Sequence, residues 1–387
     1  MSKIFDLINE LCPDGVEFRE LGEIADIEKG TQLNKSLLSK DGKYPVMNGG
    51  INPSGYWHEY SHDADMIVIS QGGASAGYVN WLDTRFFAGA HAFVINAKEK
   101  YILKRYAFHY LKRNQQNFMQ SQYGAGIPAL AKSELEKFKL PVPPMEVQRE
   151  IVRILDSFTL LTAELTAELT ARKKQYEFYR DFLLSFDELD KNGGGCELKM
   201  LGDIGEVRMC KRILKEQTSA NGEIPFYKIG TFGKEADAYI SKELFDEYRS
   251  KYSYPKIGEV LISASGTIGR AVIFNGNDAY FQDSNIVWIE NDEGQVLNRY
   301  LFYFYQIADW NIAEGGTIKR LYNDNLKKIK IPVPSLQTQQ KVVEILDKFD
   351  TLVNSITDGL PREIELRRKQ YEHYRELLLN FKPKMRA

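Results

Sequence analysis

The sequence predicts an α+β protein: two globular mixed α/β domains separated by two long antiparallel coiled-coil helices, with a pseudo-two-fold internal repeat. The chain repeats itself at a period of about 180–195 residues. Within each copy, short β-like runs give way to helical heptads. A polar, Gly-rich stretch, DELDKNGGGC (Asp187–Cys196), lies between the copies and reads as a boundary.

The repeat is explicit. Leu140-Pro141-Val142-Pro143 returns as Ile331-Pro332-Val333-Pro334. QREIVRILDSF (Gln148–Phe158) returns as QQKVVEILDKF (Gln339–Phe349), and RKKQYEFYRDFLLSF (Arg172–Phe186) as RRKQYEHYRELLLNF (Arg367–Phe381). The offset grows from 191 to 195, so the second copy carries four extra residues between these matches. Leu21-Gly22-Glu23-Ile24 is echoed by Leu201-Gly202-Asp203-Ile204. Ahead of each helical block, apolar runs bounded by Gly, Asn and Asp read as strands: Met66–Ile69, Phe93–Ile95, Val260–Ile262 and Ile286–Trp288. Leu103–Arg113 and Leu297–Trp310 read as helices.

Leu155, Phe158, Thr162, Leu165, Leu169, Arg172, Tyr176, Tyr179, Leu183 and Phe186 fall at alternating intervals of three and four, a heptad seam. The second seam is Leu346, Phe349, Val353, Ile356, Leu360, Ile364, Arg367, Tyr371, Tyr374, Leu378 and Phe381. Its additional four-residue step at Leu360–Ile364 is a stutter, and Gly359 and Pro361 predict a kink or break there. Each helix is expected to start after Pro144 or Ser335 and run roughly 60–70 Å at about 1.5 Å per residue. The expected division is 1–140 and 191–330 for the globules, and 141–190 and 331–387 for the helical spacers.

Composition bounds the function. The chain has 387 residues, 43% hydrophobic and 27% charged, ordinary for a folded protein of more than one domain. No run of about 18 apolar residues predicts a membrane span. MSKIFDLINELC reads as a short amphipathic helix, not a signal peptide. Three cysteines (Cys12, Cys196, Cys210), without a CxxC, predict no disulfide framework and a reducing, cytoplasmic setting. The net charge of −2 is not that of a typical nucleic-acid binder, so any such binding must rest on local charge.

The LPVPPMEVQREIVRILDSF and IPVPSLQTQQKVVEILDKF segments and the blocks Arg172–Glu177 and Arg367–Glu372 closely resemble type I restriction-modification specificity subunits. The likeness covers essentially the whole chain. The tandem TAEL of Thr162–Leu169 resembles the central spacer of one branch of that family. The resemblance implies that the globules are target-recognition domains, each reading one half of a bipartite double-stranded DNA site. It implies that the helices fix the gap and dock two methyltransferase (modification) subunits, with restriction (motor/nuclease) subunits joining them. S-adenosylmethionine and ATP would bind those partners, so no cofactor, metal or catalytic residue is expected here. Leu155, Phe158, Leu165, Leu169, Tyr176, Tyr179, Leu346, Phe349, Tyr371 and Tyr374 are the expected spacer and subunit-docking residues.

Base readout needs donors and acceptors on loops that reach the groove edges. Three loop pairs recur in the two copies: Tyr44–Gly50 with Ile224–Gly230, Ser70–Ser75 with Ser263–Thr267, and Gly124–Pro128 with Gly315–Arg320. Their glycines permit close backbone approach, and their N–H groups can bind phosphate; as ordinary tight turns they would also recur in any duplicated fold. The DNA-binding candidates are Asn48, Ser70, Gln71, Lys211, Arg212, Lys215, Lys228, Ser263, Ser265, Thr267, Arg270, Lys319 and Arg320. Because the loops differ between copies, the target is expected to be asymmetric. A duplicated scaffold for protein or glycan, and a stand-alone nuclease, are the competing readings. Against the nuclease, the sequence has no GxxxxGK[ST], no HExxH, no amino-methyltransferase NPP[YF] or DPP[YF], and no His/Cys metal spacing.

Overall fold

The computed structural model describes residues 2–120, 129–192, 194–310 and 320–384. The chain divides into two compact units: residues 1–166 with 363–387, and residues 167–362. The first division falls inside the long helix Met145–Leu183, within the second TAEL.

Each unit is built on the same plan. In the first, the four-stranded antiparallel sheet runs Ala25–Lys29, Ala92–Ala97, Met66–Ser70, Val79–Leu82. Its register aligns Ile27, Ile95, Ile67 and Trp81. In the second the order is Glu206–Arg208, Ile286–Glu290, Val260–Ser263, Ala271–Ile273. There Arg208, Trp288, Leu261 and Val272 align. A three-stranded sheet accompanies each, its central strand being Tyr44–Met47 or Ile224–Tyr227, paired parallel to Phe87–Ala88 or Tyr280–Phe281. A two-stranded ribbon completes each unit: Glu17–Glu20 with Lys139–Val142, and Cys196–Met200 with Lys330–Pro334. The central strands Met66–Ser70 and Val260–Ser263 are buried on both faces, which explains their unbroken apolar runs.

The recurring sequence motifs are where globule meets helix. Gln148 and Gln339, from the repeated QREIV and QQKVV, are fully buried. Gln148 Oε1 accepts from Leu103 N–H at 2.8 Å, while its amide donates to Tyr101 and Pro143 carbonyls at 3.1 and 2.8 Å. Gln339 repeats this with Leu297 N–H and the Gln295 and Pro334 carbonyls, each at 2.9 Å. Leu103 and Leu297 are the N-caps of helices Lys104–Arg113 and Asn298–Tyr305 and offer no capping side chain themselves; the glutamine takes that part. Two turns on, Asp156 accepts from Arg105 and His109, both at 2.8 Å, and Asp347 from Arg299 at 2.6 Å and from Tyr303.

The seam residues pack within each unit. Leu155 is fully buried and shares a core with Leu378 and Leu379, and Phe158 stacks on Tyr374 at 5.3 Å. In the other unit Tyr179 stacks on Phe349 at 5.6 Å, with Tyr176, Leu346 and Val353 buried alongside.

The helical expectations need correcting in three places. The first long helix has 39 residues, close to expectation, and the second breaks at the expected point into two helices of 19, Leu336–Asn354 and Leu360–Leu378. Gly359 packs where a Cβ would meet the Thr351 carbonyl, and Pro361 lies in the first turn of the restarted helix, where its missing N–H costs nothing. Ile356 therefore leaves the seam and is 77% exposed. Phe186 also leaves it, to start a separate helix, Phe186–Asn192. This helix occupies part of the stretch read as a Gly-rich link, and its Leu189 is buried.

Candidate nucleic-acid interface

In both units the chain is drawn together at one end of the large sheet, where the central strand finishes at Ser70 or Ser263. In the first unit the Ser70 hydroxyl donates to the Gly50 carbonyl at 3.2 Å. Gln71 N–H donates to the His91 carbonyl at 2.8 Å, and Leu130 N–H to the Gln71 carbonyl at 2.7 Å. His91 N–H donates to Asn48 Oδ1 at 3.1 Å. Three chain crossings are thereby tied to one hairpin.

The second unit makes equivalent ties. Ala264 N–H donates to the Asn285 carbonyl at 2.7 Å, and Leu321 N–H to the Ala264 carbonyl at 2.8 Å. Ile229 N–H donates to Gln282 Oε1 at 3.0 Å. Both hairpins close on a glycine in the left-handed region, Gly77 (φ 86°) and Gly269 (φ 80°), whose N–H returns to the Ser70 or Ser263 carbonyl. An added Cβ would stand 2.6 Å from Phe118 C at Gly77 and inside the Trp310 indole at Gly269. Glycine is needed at both for conformation and for space.

The hydroxyls of Ser70 and Ser263 hold these loops from inside. Both residues are buried, and Ser263 Oγ donates to the Thr267 carbonyl while accepting from Arg270 N–H at 3.0 Å. Ser265 donates to Asn285 Oδ1 at 2.8 Å. The Arg270 guanidinium donates to the Phe232 carbonyl at 2.9 Å, and Arg320 to the Ser284 carbonyl at 3.4 Å, with Tyr322 beside it, 59% exposed. Thr267 is exposed on the hairpin. Gln71 Oε1 is buried without a hydrogen-bond partner among the described residues. Lys228 pairs with Asp237 at 2.9 Å.

The structure thus brings Asn48, Ser70 and Gln71 together in one unit, and Ser263, Ser265, Thr267, Arg270 and Arg320 in the other. Lys211, Arg212 and Lys215 form a separate exposed run, with the Lys211 ammonium 5.2 Å from the Tyr252 ring centre. The basic stretch toward Lys330 is dispersed: Lys327 is paired with Glu206 at 2.9 Å, and Lys330 lies in the ribbon. Lys319, and the loops 124–128 and 315–319, lie outside the described residues. Sequence reasoning missed His91, Asn285 and Tyr322. None belongs to a motif; their signal is positional, since each lies beside a central-strand terminus.

Among the expected docking residues, Leu155, Tyr176 and Leu346 are buried, while Leu165 and Leu169 are half-buried. Tyr176 donates to Gln306 Oε1 at 3.2 Å, and burial pushes its phenol up to about 12. Tyr371 shares a 3.0 Å hydrogen bond with His109. Tyr179 is exposed, and further outward-facing apolar residues on the helices include Leu160, Phe178, Phe182 and Leu377. Among the described residues no group of three or more His, Cys, Asp or Glu could hold a metal, and no helix is long and apolar enough to cross a membrane. Burial raises the thiol values of all three cysteines, that of Cys210 to about 12.

Comparison with known proteins places these features. Residues 13–172 and 194–366 each match the family model described as the type I restriction modification DNA specificity domain. The Haemophilus influenzae chain S.HindORF215P, assigned as a type I restriction enzyme specificity subunit, is 53% identical over 95% of this chain and 96% of its own length. The specificity subunit of the Escherichia coli type I restriction enzyme EcoR124I/EcoR124II is 34% identical over 95% and 94%. Among solved structures, the type I restriction-modification S subunit from M. genitalium superposes with a TM-score of 0.62 at 20% identity, covering 94% of this chain and 96% of that one. That likeness supports the fold alone, which is the two-domain α+β repeat expected from the sequence.

Proposed function

This chain belongs to the type I restriction-modification DNA specificity family, and from that premise we propose that its two sheet-end loop clusters each read one half of a bipartite, asymmetric site in double-stranded DNA. The chain is the specificity subunit of a type I system, and its role is targeting. Methyl transfer and cleavage belong to the partners: two modification subunits docked along the helices, and restriction subunits joining them, in the cytoplasm. The helices carrying the TAEL repeat set the unread gap between the half-sites.

One observation carries this reading: the same loop cluster is built twice on identical topology, with different side chains. The shared backbone supplies a common way to approach the duplex, through glycine turns and N–H groups suited to phosphate. The differing side chains, Gln71 and Asn48 against Ser265, Arg270 and Arg320, supply different base contacts. Identical clusters would read a palindrome; these two do not.

The test is binding of the chain, with its modification subunit, to duplex DNA across a salt series. Phosphate contacts release counterions, so log K should fall linearly with log salt, at about 0.9 per phosphate neutralised. Binding indifferent to salt, or absent, would favour the scaffold reading.

A further inference from the structure

We propose that the residue leading into the central strand partner, His91 in the first unit and Asn285 in the second, determines specificity at one base pair of its half-site. This rests on the DNA-reading function proposed above and assigns it to a position outside every sequence motif.

The two residues occupy the same place in the fold. Each immediately precedes a strand of the large sheet, Ala92–Ala97 or Ile286–Glu290. Each has its carbonyl fixed by the first N–H of the hairpin, Gln71 or Ala264. Their main chains are therefore held against the loop cluster from within the sheet, the rigid support that discrimination between bases requires. Their side chains stay out of the hydrophobic core: His91 is exposed and Asn285 half-buried.

Neither side chain is fully used by the protein. The His91 ring makes no hydrogen bond or ion pair among the described residues, although the main-chain N–H of His91 is anchored to Asn48 Oδ1 at 3.1 Å. Asn285 accepts from Ser265 at 2.8 Å through Oδ1, which turns its Nδ2 donors away from that hydroxyl. Ser284, the residue before it, has a left-handed backbone (φ 50°), and its carbonyl takes the Arg320 guanidinium at 3.4 Å. Asn285 and Arg320 thus set neighbouring donors on one edge. Donors there match a base edge that presents acceptors, such as guanine N7 and O6 in the major groove. In the first unit the position equivalent to Arg320 is Ala129, because Gly72 pairs with Ala129 as Ser265 pairs with Arg320. The imidazole, able to donate and accept, is left with Gln71 as the polar group at that edge. The two positions therefore predict different base preferences from one backbone geometry.

The experiment uses the full chain co-expressed with its modification subunit, with methylated adenines mapped by long-read sequencing. The variants are His91→Ala and Asn285→Ala, with the exchanges His91→Asn and Asn285→His. Thermal melting of each purified complex verifies folding. Each Ala variant should lose about tenfold or more discrimination at a single base pair of one half-site, the range of one good base contact. The other half-site and the gap should be unchanged, and the exchanges should alter the preferred base at the same pair. Unaltered half-sites in folded variants, or methylation weakened equally at all sequences, would overturn the assignment. A wild-type complex that methylates without a bipartite motif would overturn the underlying reading instead.

Discussion

Replacing Gln148 with Leu tests how the globule is joined to its helix. The side chain is fully buried, and leucine, though shorter by one carbon before its branch, is similar in bulk, so volume is roughly kept and the polar groups are lost. Three main-chain groups lose a partner: Leu103 N–H, at 2.8 Å from Oε1, and the Tyr101 and Pro143 carbonyls, at 3.1 and 2.8 Å from Nε2. A buried group left unsatisfied costs about 1–3 kcal/mol. The carbonyls keep a second lone pair for other donors, so the N–H at the helix start dominates, and greater apolar burial offsets part of the loss. The expected net destabilisation is about 2–4 kcal/mol. At roughly 2–4 °C per kcal/mol for a unit of this size, the unfolding midpoint should fall by roughly 4–16 °C. The assay is urea and thermal unfolding of Gln148→Leu beside wild type, followed by hydrogen exchange on helix Lys104–Arg113. A loss below about 1 kcal/mol, with that helix still protected, would refute the clamp.

Other consequences are equally measurable. His109 is fully buried, and burial outweighs its 2.8 Å hydrogen bond to Asp156, holding the imidazole below its ordinary 6.5. The unfolded chain therefore binds the proton more readily, so stability should fall as pH drops below about 6.5, and His109→Gln should flatten that slope between pH 7 and 5. A variant with the wild-type slope would contradict it. Asp156, kept below the usual carboxylate range by His109 and Arg105 against the effect of burial, contributes a separate loss only in stronger acid. Inserting one further TAEL after Leu169 rotates the helix by a net ~40° and lengthens it by ~6 Å, against ~35° and ~3.4 Å for one DNA step. Methylation mapping should show the gap longer by one base pair with both half-sites kept; changed half-sites or an unchanged gap would count against the spacer role.

Much of this fold was legible because its signals are periodic. The apolar runs around Ile67 and Ile262 became central strands, and the heptads around Leu155 and Leu346 became buried seams. Pro361 and Gly359 signalled the interruption of the second helix, but not that Ile356 would leave the core altogether. The polar joints were illegible. Gln148, Gln339, Asp156 and Asp347 lie in repeated strings, yet glutamine and aspartate in a helical pattern ordinarily mean a solvated face. Only three-dimensional closure shows what they hold. The proposed interface was partly legible in its backbone: glycine-bearing loops marked the hairpins after Ser70 and Ser263. Burial then showed that both serines act inward, and that His91 and Asn285, unmarked by any local pattern, stand at the edge.

The central claim is that two unlike reading edges on one chain specify two unlike half-sites. Sequencing the methylated adenines placed by this chain with its modification subunit tests it most directly. The account predicts a non-palindromic motif of two short specified stretches separated by a gap of fixed length. A single uninterrupted motif, or two half-sites that are reverse complements of each other, would contradict it.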